Sequence, residues 1–185
     1  LVYQDGQPAK GVKANLRKRD FLDTANILSG TMPGAVDSAV TDSNGVFKID
    51  SVDTGLYVIE AMDNDSNGVR IDSSTVTDPD SSKDLGTDTL KHFGSIQGVV
   101  YLPENGDPTT VFVLAMGLGR FVIPDSLGLF TFDGLAEGSY NLIFFTTLPD
   151  YTVKDTAGIK VVSRQITELD TVKLTFTGIP TPKNI

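Results

Sequence analysis

The hexapeptide Asp-Asn-Asp-Ser-Asn-Gly, which begins at Asp63, has the residue types and spacing of the first half of a calcium-binding loop. Asp63, Asp65 and Asn67 would offer side-chain oxygens at alternate positions, and Gly68 would allow the tight turn of such a loop. The twelfth position, however, is Ser74 and not the bidentate glutamate of that pattern. The same residue types are expected in a polar hairpin turn. The sequence therefore leaves two interpretations open, a Ca²⁺ site at Asp63, Asp65 and Asn67 or a hairpin loop without a cofactor.

Residues able to catalyse a reaction are scarce. The chain contains no cysteine, which excludes thiolate nucleophiles, zinc–thiolate sites and disulfides. The single histidine, His92, has no serine and aspartate around it at the spacing of a catalytic triad. A pair of carboxylates is the remaining source of acid–base chemistry, and no spacing marks such a pair. We predict that the protein is not an enzyme and assign no residue to catalysis.

The charge balance argues against polyanionic partners. The chain has 24 acidic and 15 basic side chains and a formal net charge of −9, so nucleic acid and anionic membranes are repelled at long range. No stretch reaches the roughly 20 apolar residues of a membrane-spanning helix. We predict no nucleic-acid partner and no direct insertion into a membrane.

Two charged segments each have two interpretations. Residues 72–88 are acidic and rich in serine, which favours a solvated connection over a carboxylate-rich ligand loop. The basic run Arg17-Lys18-Arg19 is typical of a solvated strand face or a protected sheet edge. A docking patch for an anionic glycan is the alternative for that run.

The sequence contains an internal repeat. A shift of 83 residues aligns Asp42–Tyr57 with Asp125–Tyr140 and gives seven identities in sixteen positions, where average residue frequencies predict about one. With a slightly different offset, Val2-Tyr3 recurs as Val100-Tyr101. About fifteen residues, near 23–38, have no counterpart in the second copy. We predict a duplication, with one surface insertion in the first copy.

The elements of both copies are predicted to be strands. Val46–Asp50 and Leu129–Asp133 show an imperfect period of two, and the preceding Asp-Ser-x-Gly runs supply turn residues. Hardly any segment has a helical period. We predict an all-β protein with module 1 at 1–92, module 2 at 93–176 and a proline-containing linker at 177–185, and we interpret the chain as part of a longer one.

The motifs around these turns resemble a known family. Pro8-Ala9-Lys10-Gly11-Val12, the run T-D-x-x-G-x-F that starts at Thr41, and Gly55-x-Tyr57 are similar to the carboxypeptidase regulatory-like domain, in the transthyretin-like and Cna-B-like group. The resemblance implies two tandem seven-stranded, Greek-key-type (prealbumin-like) β-sandwich domains. The second copy departs from the motif with Pro124 in place of the threonine, and with Asp-Pro-Thr-Thr at 107–110 in place of the first turn.

The resemblance also implies a function. It predicts a non-catalytic spacer or interaction segment of a larger secreted or cell-surface bacterial protein, with lipid anchoring through a preceding segment as one arrangement. Its partners would be neighbouring domains of the same chain, and a glycan or protein at the cell surface. The alternative function is a carbohydrate- or peptide-binding accessory module, similar to starch-binding modules, of a secreted hydrolase.

Further residues bear on these alternatives. Sugar-binding modules stack sugar rings on flat aromatic side chains, and the chain has no tryptophan. We interpret Tyr57 and Tyr140 as structural, which leaves Tyr101 and Tyr151 as candidates near loops. The presence of Lys10, Lys13 and Asn15 allows an adhesin-type isopeptide crosslink, although no matching acid is identifiable.

The second copy has strands that are apolar on both faces. Phe112 and Leu114 alternate with Val111 and Val113, and the run Leu142–Phe145 is apolar throughout. A sandwich strand with one solvated face is expected to alternate between apolar and polar residues. We predict that part of the outer face of this copy is covered, by the first copy, by a following domain or by a partner.

Overall fold

The computed structural model describes residues 1–20, 36–79 and 82–178, and these residues form an all-β protein, as predicted. The strands are β1 (Lys13–Lys18), β2 (Asp37–Val40), β3 (Gly55–Met62), β4 (Asn67–Val76), β5 (Lys91–His92), β6 (Gly94–Tyr101), β7 (Val111–Ala115), β8 (Arg120–Val122), β9 (Leu129–Leu135), β10 (Gly138–Thr146), β11 (Lys154–Val161), β12 (Ile166–Glu168) and β13 (Val172–Lys173). Within the described ranges, the only helical element is a 3-10 turn at Pro108–Thr110. No helix in those ranges is long and apolar enough to cross a bilayer.

The C-terminal half, which we define as residues 93–178, is a β-sandwich. One sheet has the strand order β11-β10-β7-β8, and the other has β6 at its centre, with β9 antiparallel on one side and β12 and β13 parallel on the other. Side chains of both sheets meet in one core, because alternate residues of each strand point inward. The core includes Ile96 and Val100 of β6, Phe130 and Phe132 of β9, Val111 and Val113 of β7, and Leu142 and Phe144 of β10.

The N-terminal half, residues 1–92, contains one five-stranded sheet of order β2-β1-β3-β4-β5. Its inward side chains, among them Leu16, Tyr57 and Ile59, form a second core. The layer that covers this core includes Phe47 and Ile49, which are only half-buried. The strand predicted at Val46–Asp50 is wrong, since these residues belong to none of the strands, whereas its counterpart lies within β9, which has β6 as its partner.

The repeated Asp-Ser-x-Gly runs form the same turn in both halves. Oδ1 of Asp42 accepts hydrogen bonds from the amides of Asn44 (2.8 Å) and Val46 (2.9 Å). Oδ1 of Asp125 accepts in the same way from Leu127 (2.9 Å) and Leu129 (2.8 Å). These bonds organise the loop without help from the core, so the turn is encoded locally. The amide hydrogen bonds from Val46 and Asn44 also lower the pKa of Asp42.

The repeated tyrosines are buried in equivalent environments, which confirms their structural interpretation. The hydroxyl of Tyr57 donates to the carbonyl of Asp53 (3.0 Å), and that of Tyr140 donates to the carbonyl of Ala136 (2.7 Å). In each half the strand register shifts directly after the tyrosine. Each tyrosine therefore ties the start of its strand to the loop before it.

Removing the hydroxyl of Tyr140 tests this role. We expect Tyr140→Phe to lower the free energy of unfolding by about 1 kcal/mol, because the buried carbonyl of Ala136 loses its donor. Chemical denaturation followed by circular dichroism measures the loss. Tyr101→Phe is the matched control, because that ring is half exposed, and we expect no change there. Equal effects of both substitutions would contradict the role.

The contacts of the two turn glycines show which residues at the start of the chain correspond to which residues of β6. A Cβ atom on Gly45 would lie 2.1 Å from the carbonyl oxygen of Leu1, and one on Gly128 would lie 2.1 Å from that of Val100. Leu1 is therefore the structural counterpart of Val100, one residue away from the predicted match of Val2 with Val100. The sequence match was wrong by one position because Val-Tyr happens to occur in both places.

The departure at Pro124 has a local structural basis. In the N-terminal half the hydroxyl of Thr41 donates to the carbonyl of Ala9 and accepts from the amide of Val12 (2.9 Å), which ties the first turn to the rest of the sheet. In the C-terminal half the segment after Asp107 instead forms the 3-10 turn, capped by the Asp107 side chain through the amide of Thr109 (2.9 Å). A hydroxyl at position 124 has no matching role there.

The outer face of β7 and β10 is apolar, as predicted. Leu114 and Phe145 are buried there and form a cluster with the rings of Phe112 and Phe121, separate from the main core. The rings of Phe112 and Phe145 stack with centroids 5.1 Å apart, and Phe121 packs edge-on against Phe112 at 5.4 Å. Part of the burial on this face thus comes from the rings themselves. Cover by the first copy, a following domain or a partner stays a prediction.

Several predicted segments fall partly outside the described residues. Most of the insertion near 23–38 lies there, apart from residues 36–38, and so does most of the linker at 177–185. The module boundary at 92/93 stays a prediction. At that point β5 ends at His92 and β6 begins at Gly94.

Candidate functional site at the contact between the two halves

The outward face of β3 carries the principal contact between the halves. Tyr57, Ile59 and Ala61 of this strand point into the N-terminal core, so the alternation of a strand directs Val58 and Glu60 to the opposite face. Both are buried, and the side chain of Glu60 is only 2% exposed. A carboxylate is rarely buried unless it is paired, so a partner for Glu60 is expected among the groups around it.

Glu60 is paired with an arginine of the other half. Nη2 of Arg120, on β8, donates to Oε1 of Glu60 at 2.6 Å. Nη1 of the same guanidinium donates to the carbonyl of Gly134 at 3.0 Å, and its Cζ lies 5.9 Å from the ring centroid of Phe132. Arg120 of β8 thus connects the outer face of β3 to β9 of the C-terminal half.

A second arginine crosses the contact beside the first. Arg70 lies opposite Glu60 in the β3–β4 pairing, and its Nε donates to Oδ1 of Asp72 at 2.7 Å. Its Cζ lies 4.5 Å from the ring centroid of Tyr140, a cation–π arrangement across the two halves. Its stem also leaves little room beside Gly138, where a Cβ atom would lie 3.2 Å from Cδ of Arg70. Burial raises the pKa of the Tyr140 hydroxyl, which keeps this ring neutral.

The buried cations near Glu60 are not fully satisfied by hydrogen bonds. Burial lowers the pKa of the Arg17 guanidinium, Glu60 opposes this shift, and Arg120 adds to it. Within the described ranges, the buried side-chain polar atoms without a hydrogen-bond partner are Nε of Arg17, Nη1 of Arg70, Nε of Arg120 and Oγ of Ser74. Glu60 therefore offsets the positive charge of Arg17 as well as that of its ion-pair partner Arg120.

Backbone contacts at the junction link the same two halves. The amide of Phe93 donates to the carbonyl of Ser66 (3.1 Å), and its carbonyl accepts from the amide of Arg164 (3.0 Å). The Phe93 ring also lies over Gly68, where a Cβ atom would meet it at 2.5 Å. The residue between β5 and β6 is therefore bonded on both sides.

A solvent-accessible ion pair flanks the junction. Nζ of Lys91 donates to Oε1 of Glu137 at 2.5 Å, and both side chains are about two-fifths exposed. The hydrogen bond from Lys91 lowers the pKa of Glu137 below its usual value. A carboxyl with a lowered folded-state pKa stabilises the fold above its unfolded pKa, and this contribution is lost as the pH falls through the folded pKa. Exposure and salt keep the contribution small.

The hairpin at Asp63 places the three predicted calcium ligands close together. Oδ1 of Asp63 accepts from the amides of Asp65 (2.9 Å) and Asn67 (2.8 Å), and Oδ2 accepts from Nδ2 of Asn67 (2.9 Å). Both carboxylate oxygens thus serve amide hydrogens of the loop. No group of three acidic or histidine side chains within the described ranges is arranged to hold a metal. The calcium site stays a prediction, and the hydrogen bonds account for the hairpin without a cation.

Calcium titration distinguishes the two interpretations of this loop. We expect no change of melting temperature with about 1 mM Ca²⁺, the range in which extracellular modules bind it, because the oxygens of Asp63 are already hydrogen-bonded. A rise that Asp65→Ala abolishes would instead establish the site. Asp5→Ala, at another exposed loop carboxylate, is the matched control.

The other candidate residues have structural environments. The basic run Arg17-Lys18-Arg19 was predicted to be a solvated strand face or a sheet edge. Lys18 and Arg19 are exposed, as predicted for such a face, whereas Arg17 is partly buried and its Nε has no hydrogen-bond partner. The hydroxyl of Tyr151 donates to the carbonyl of Pro103 (2.5 Å), and its ring packs on Phe176 at 5.3 Å. Tyr101 is half exposed, with Nζ of Lys173 5.7 Å from its ring centroid.

Sequence reasoning missed Glu60, Arg70 and Arg120. A signal was present for the first, since Glu60 is the only charged residue in the strand Gly55–Met62 and has apolar neighbours on both sides. A charge inside a strand that is otherwise apolar indicates a buried pair. Its partner Arg120 lies 60 residues away, and no local pattern identifies it.

Comparisons with known proteins leave the family open. No protein-family model and no curated protein sequence matches the chain. Among solved structures, the chain is similar to the minor pilin GBS52 of Streptococcus agalactiae, at 16% identity and a TM-score of 0.45 over 100% of this chain and 90% of that one. It is also similar to a streptococcal ancillary pilin (17% identity, TM-score 0.37, 92% and 60% of the two chains). It is similar as well to a type II cohesin–X-dockerin complex from Acetivibrio cellulolyticus, at 21% identity and a TM-score of 0.36 over 44% of this chain and 56% of that one. Similarities of this size do not assign a family or a function.

Proposed function

We propose that this chain is a non-catalytic spacer segment of a larger secreted or cell-surface protein, and that it holds its two halves in one fixed relative orientation. In this proposal the halves are two copies of a carboxypeptidase regulatory-like module, residues 1–92 and 93–176. The turns at Asp42 and Asp125 and the tyrosines Tyr57 and Tyr140 support the two-copy part, because their hydrogen bonds recur position by position.

The observation that carries the spacer role is the buried ion pair between the halves. A flexible tether between independent modules needs no specific contact, and interfaces between domains are usually modest and mobile. Here Glu60 is buried and meets Arg120 at 2.6 Å, Arg70 covers the ring of Tyr140, and Phe93 is hydrogen-bonded to both sides. These contacts join different pairs of elements and together restrict rotation about the junction.

A distance measurement between the halves tests this rigidity. The chain has no cysteine, so Ser43→Cys and Ser126→Cys place two spin labels at equivalent, exposed positions of the two repeated turns. We expect a single narrow distance distribution, because the contacts hold one orientation. Adding Lys91→Ala and Arg70→Ala should broaden it, since both side chains cross the junction.

The control for this experiment is Lys48→Ala in the same labelled protein. Lys48 pairs with Asp50 within the first half, and both side chains are largely exposed. This substitution should leave the distribution unchanged. A broad distribution in the otherwise unmodified protein would show that the halves move independently and would rule out the spacer role.

A further inference from the structure

A groove runs along the incomplete layer of the N-terminal half. It has a volume of about 1120 Å³ and lies between the segment 46–52 on one side and the segment 82–87 on the other. Its apolar lining includes Phe47, Ile49, Val52 and Leu85, all half-buried against the core. The counterparts of Phe47 and Ile49, Phe130 and Phe132, are each only 2% exposed. Among residues 1–20, 36–79 and 82–92, none covers the N-terminal core at this groove.

The C-terminal half shows what covers the same place. There β6 lies between β9 and the strands β12 and β13. In the described part of the N-terminal half, one parallel pairing of this kind is present. Val2 pairs in parallel with Thr89, as Tyr101 pairs with Lys173 at the end of β6. The amide of Leu90 donates to the carbonyl of Val2 (2.9 Å), just as that of Leu174 donates to Tyr101 (3.1 Å).

Leu1 fixes where an occupant of the groove would end. The N-terminal nitrogen of Leu1 donates to the carbonyl of Gly45 at 2.5 Å, and the amide of its counterpart Val100 donates to the carbonyl of Gly128 at 2.8 Å. The residues of β6 before Val100, Gly94–Val99, therefore correspond to the groove itself.

The chemistry of the occupant follows from β6. Val99, Gly98, Gln97 and Ile96 pair with Leu129, Phe130, Thr131 and Phe132 of β9, and the counterparts of those four β9 residues are Val46–Ile49. A Cβ atom on Gly98 would lie 3.0 Å from the ring of Phe130, so the position facing Phe47 favours glycine. Ile96 is fully buried in the core, so the position facing Ile49 requires a large apolar side chain.

We propose that this groove receives one extended peptide strand of about six residues that is continuous with Leu1. The strand runs antiparallel to 46–49 and parallel to 82–85, with glycine two positions before Leu1 and an aliphatic residue four positions before it. It completes the second sheet of the N-terminal half in the way that β6 completes that of the C-terminal half. Backbone hydrogen bonds supply the attachment, and the two inward positions supply the specificity.

A second folded copy of this chain is a poorer occupant. The groove has polypeptide on both sides, so it admits a single strand and not the edge of a sheet. Among the strands that the structure describes, β6 has the required pattern. Its inward residues are buried and it is paired on both sides. Releasing β6 would open the core of the donor.

The test attaches the proposed strand to the protein. The sequence Gly-Ser-Ile-Gln-Gly-Val, which is that of Gly94–Val99, is added directly before Leu1. We expect the melting temperature to rise by about 5 °C or more, as burial of one large apolar side chain and a new strand pairing predicts. Hydrogen exchange of the backbone amides of residues 46–50 should slow at least tenfold, because these amides gain hydrogen-bond partners or become shielded from solvent by the added strand.

Matched extensions separate strand insertion from any effect of added length. Gly-Ser-Pro-Gln-Pro-Val cannot form the ladder, and Gly-Ser-Ile-Gln-Val-Val places a side chain against the ring of Phe47. Neither should raise the melting temperature, and Ile49→Lys should abolish the gain from the first extension. Equal gains from all extensions, no protection of 46–50, or a dimer of the unextended protein that slows exchange at 46–50 would each overturn the proposal.

Discussion

Glu60→Ala is expected to lower the free energy of unfolding by about 3–5 kcal/mol, the usual cost of removing one partner of a buried ion pair. The loss leaves the Arg120 guanidinium without its carboxylate and Arg17 without the charge that offsets its burial. For a chain of this length the melting temperature should fall by roughly 10 °C. Differential scanning calorimetry measures both quantities, and the labelled protein should show a broader distance distribution between the halves.

An exposed ion pair of the same length provides the control for Glu60. Nζ of Lys48 lies 2.6 Å from Oδ1 of Asp50, but the two side chains are 78% and 67% exposed. Asp50→Ala should therefore change the free energy of unfolding by less than about 0.5 kcal/mol. If Glu60→Ala were as mild as Asp50→Ala, the buried pair would not hold the halves together.

The second large effect is expected at the repeated turns. Gly128 has φ +82° and a Cβ atom there would lie 2.1 Å from the carbonyl oxygen of Val100. Gly128→Ala combines the cost of a left-handed backbone, about 1–2 kcal/mol, with a clash against a backbone atom of the central strand β6. We expect a total loss of at least about 3 kcal/mol, measured by chemical denaturation.

Gly158→Ala isolates the backbone part of this effect. Gly158 has φ +72°, and a Cβ atom there meets nothing within 4 Å. We expect a loss of only about 1–2 kcal/mol. Equal losses in the free energy of unfolding at both glycines would contradict this prediction. They would show that the close contact between Gly128 and Val100 adds nothing to the cost of the substitution.

The sequence predicted features whose causes are local. The Asp-Ser-x-Gly turns form through hydrogen bonds within five residues, and Tyr57 and Tyr140 bond to carbonyls four residues away. The all-β class follows from the period of the strands and the spacing of these turns. Local hydrogen bonds and side-chain period require no knowledge of distant residues.

The features that sequence reasoning missed depend on distant partners. Val46–Asp50 has the alternation of a strand, but a strand also requires a neighbour to receive its hydrogen bonds, and only the counterpart in β9 has one. The pair of Glu60 and Arg120 joins residues 60 positions apart. Arg17 was assigned to solvent from the pattern of its own strand, which carries no information on the charges of Glu60 and Arg120 that act on it.

The parallel pairing of β6 has a consequence for the order in which the chain acquires its structure. Val100 lies beside Val172, more than 70 residues later, whereas its neighbour β9 follows after about 30. During synthesis on a ribosome, one edge of β6 therefore stays unpaired until β12 and β13 have emerged. Contacts of such long sequence separation slow folding, and the unpaired edge stays open to wrong partners in the meantime.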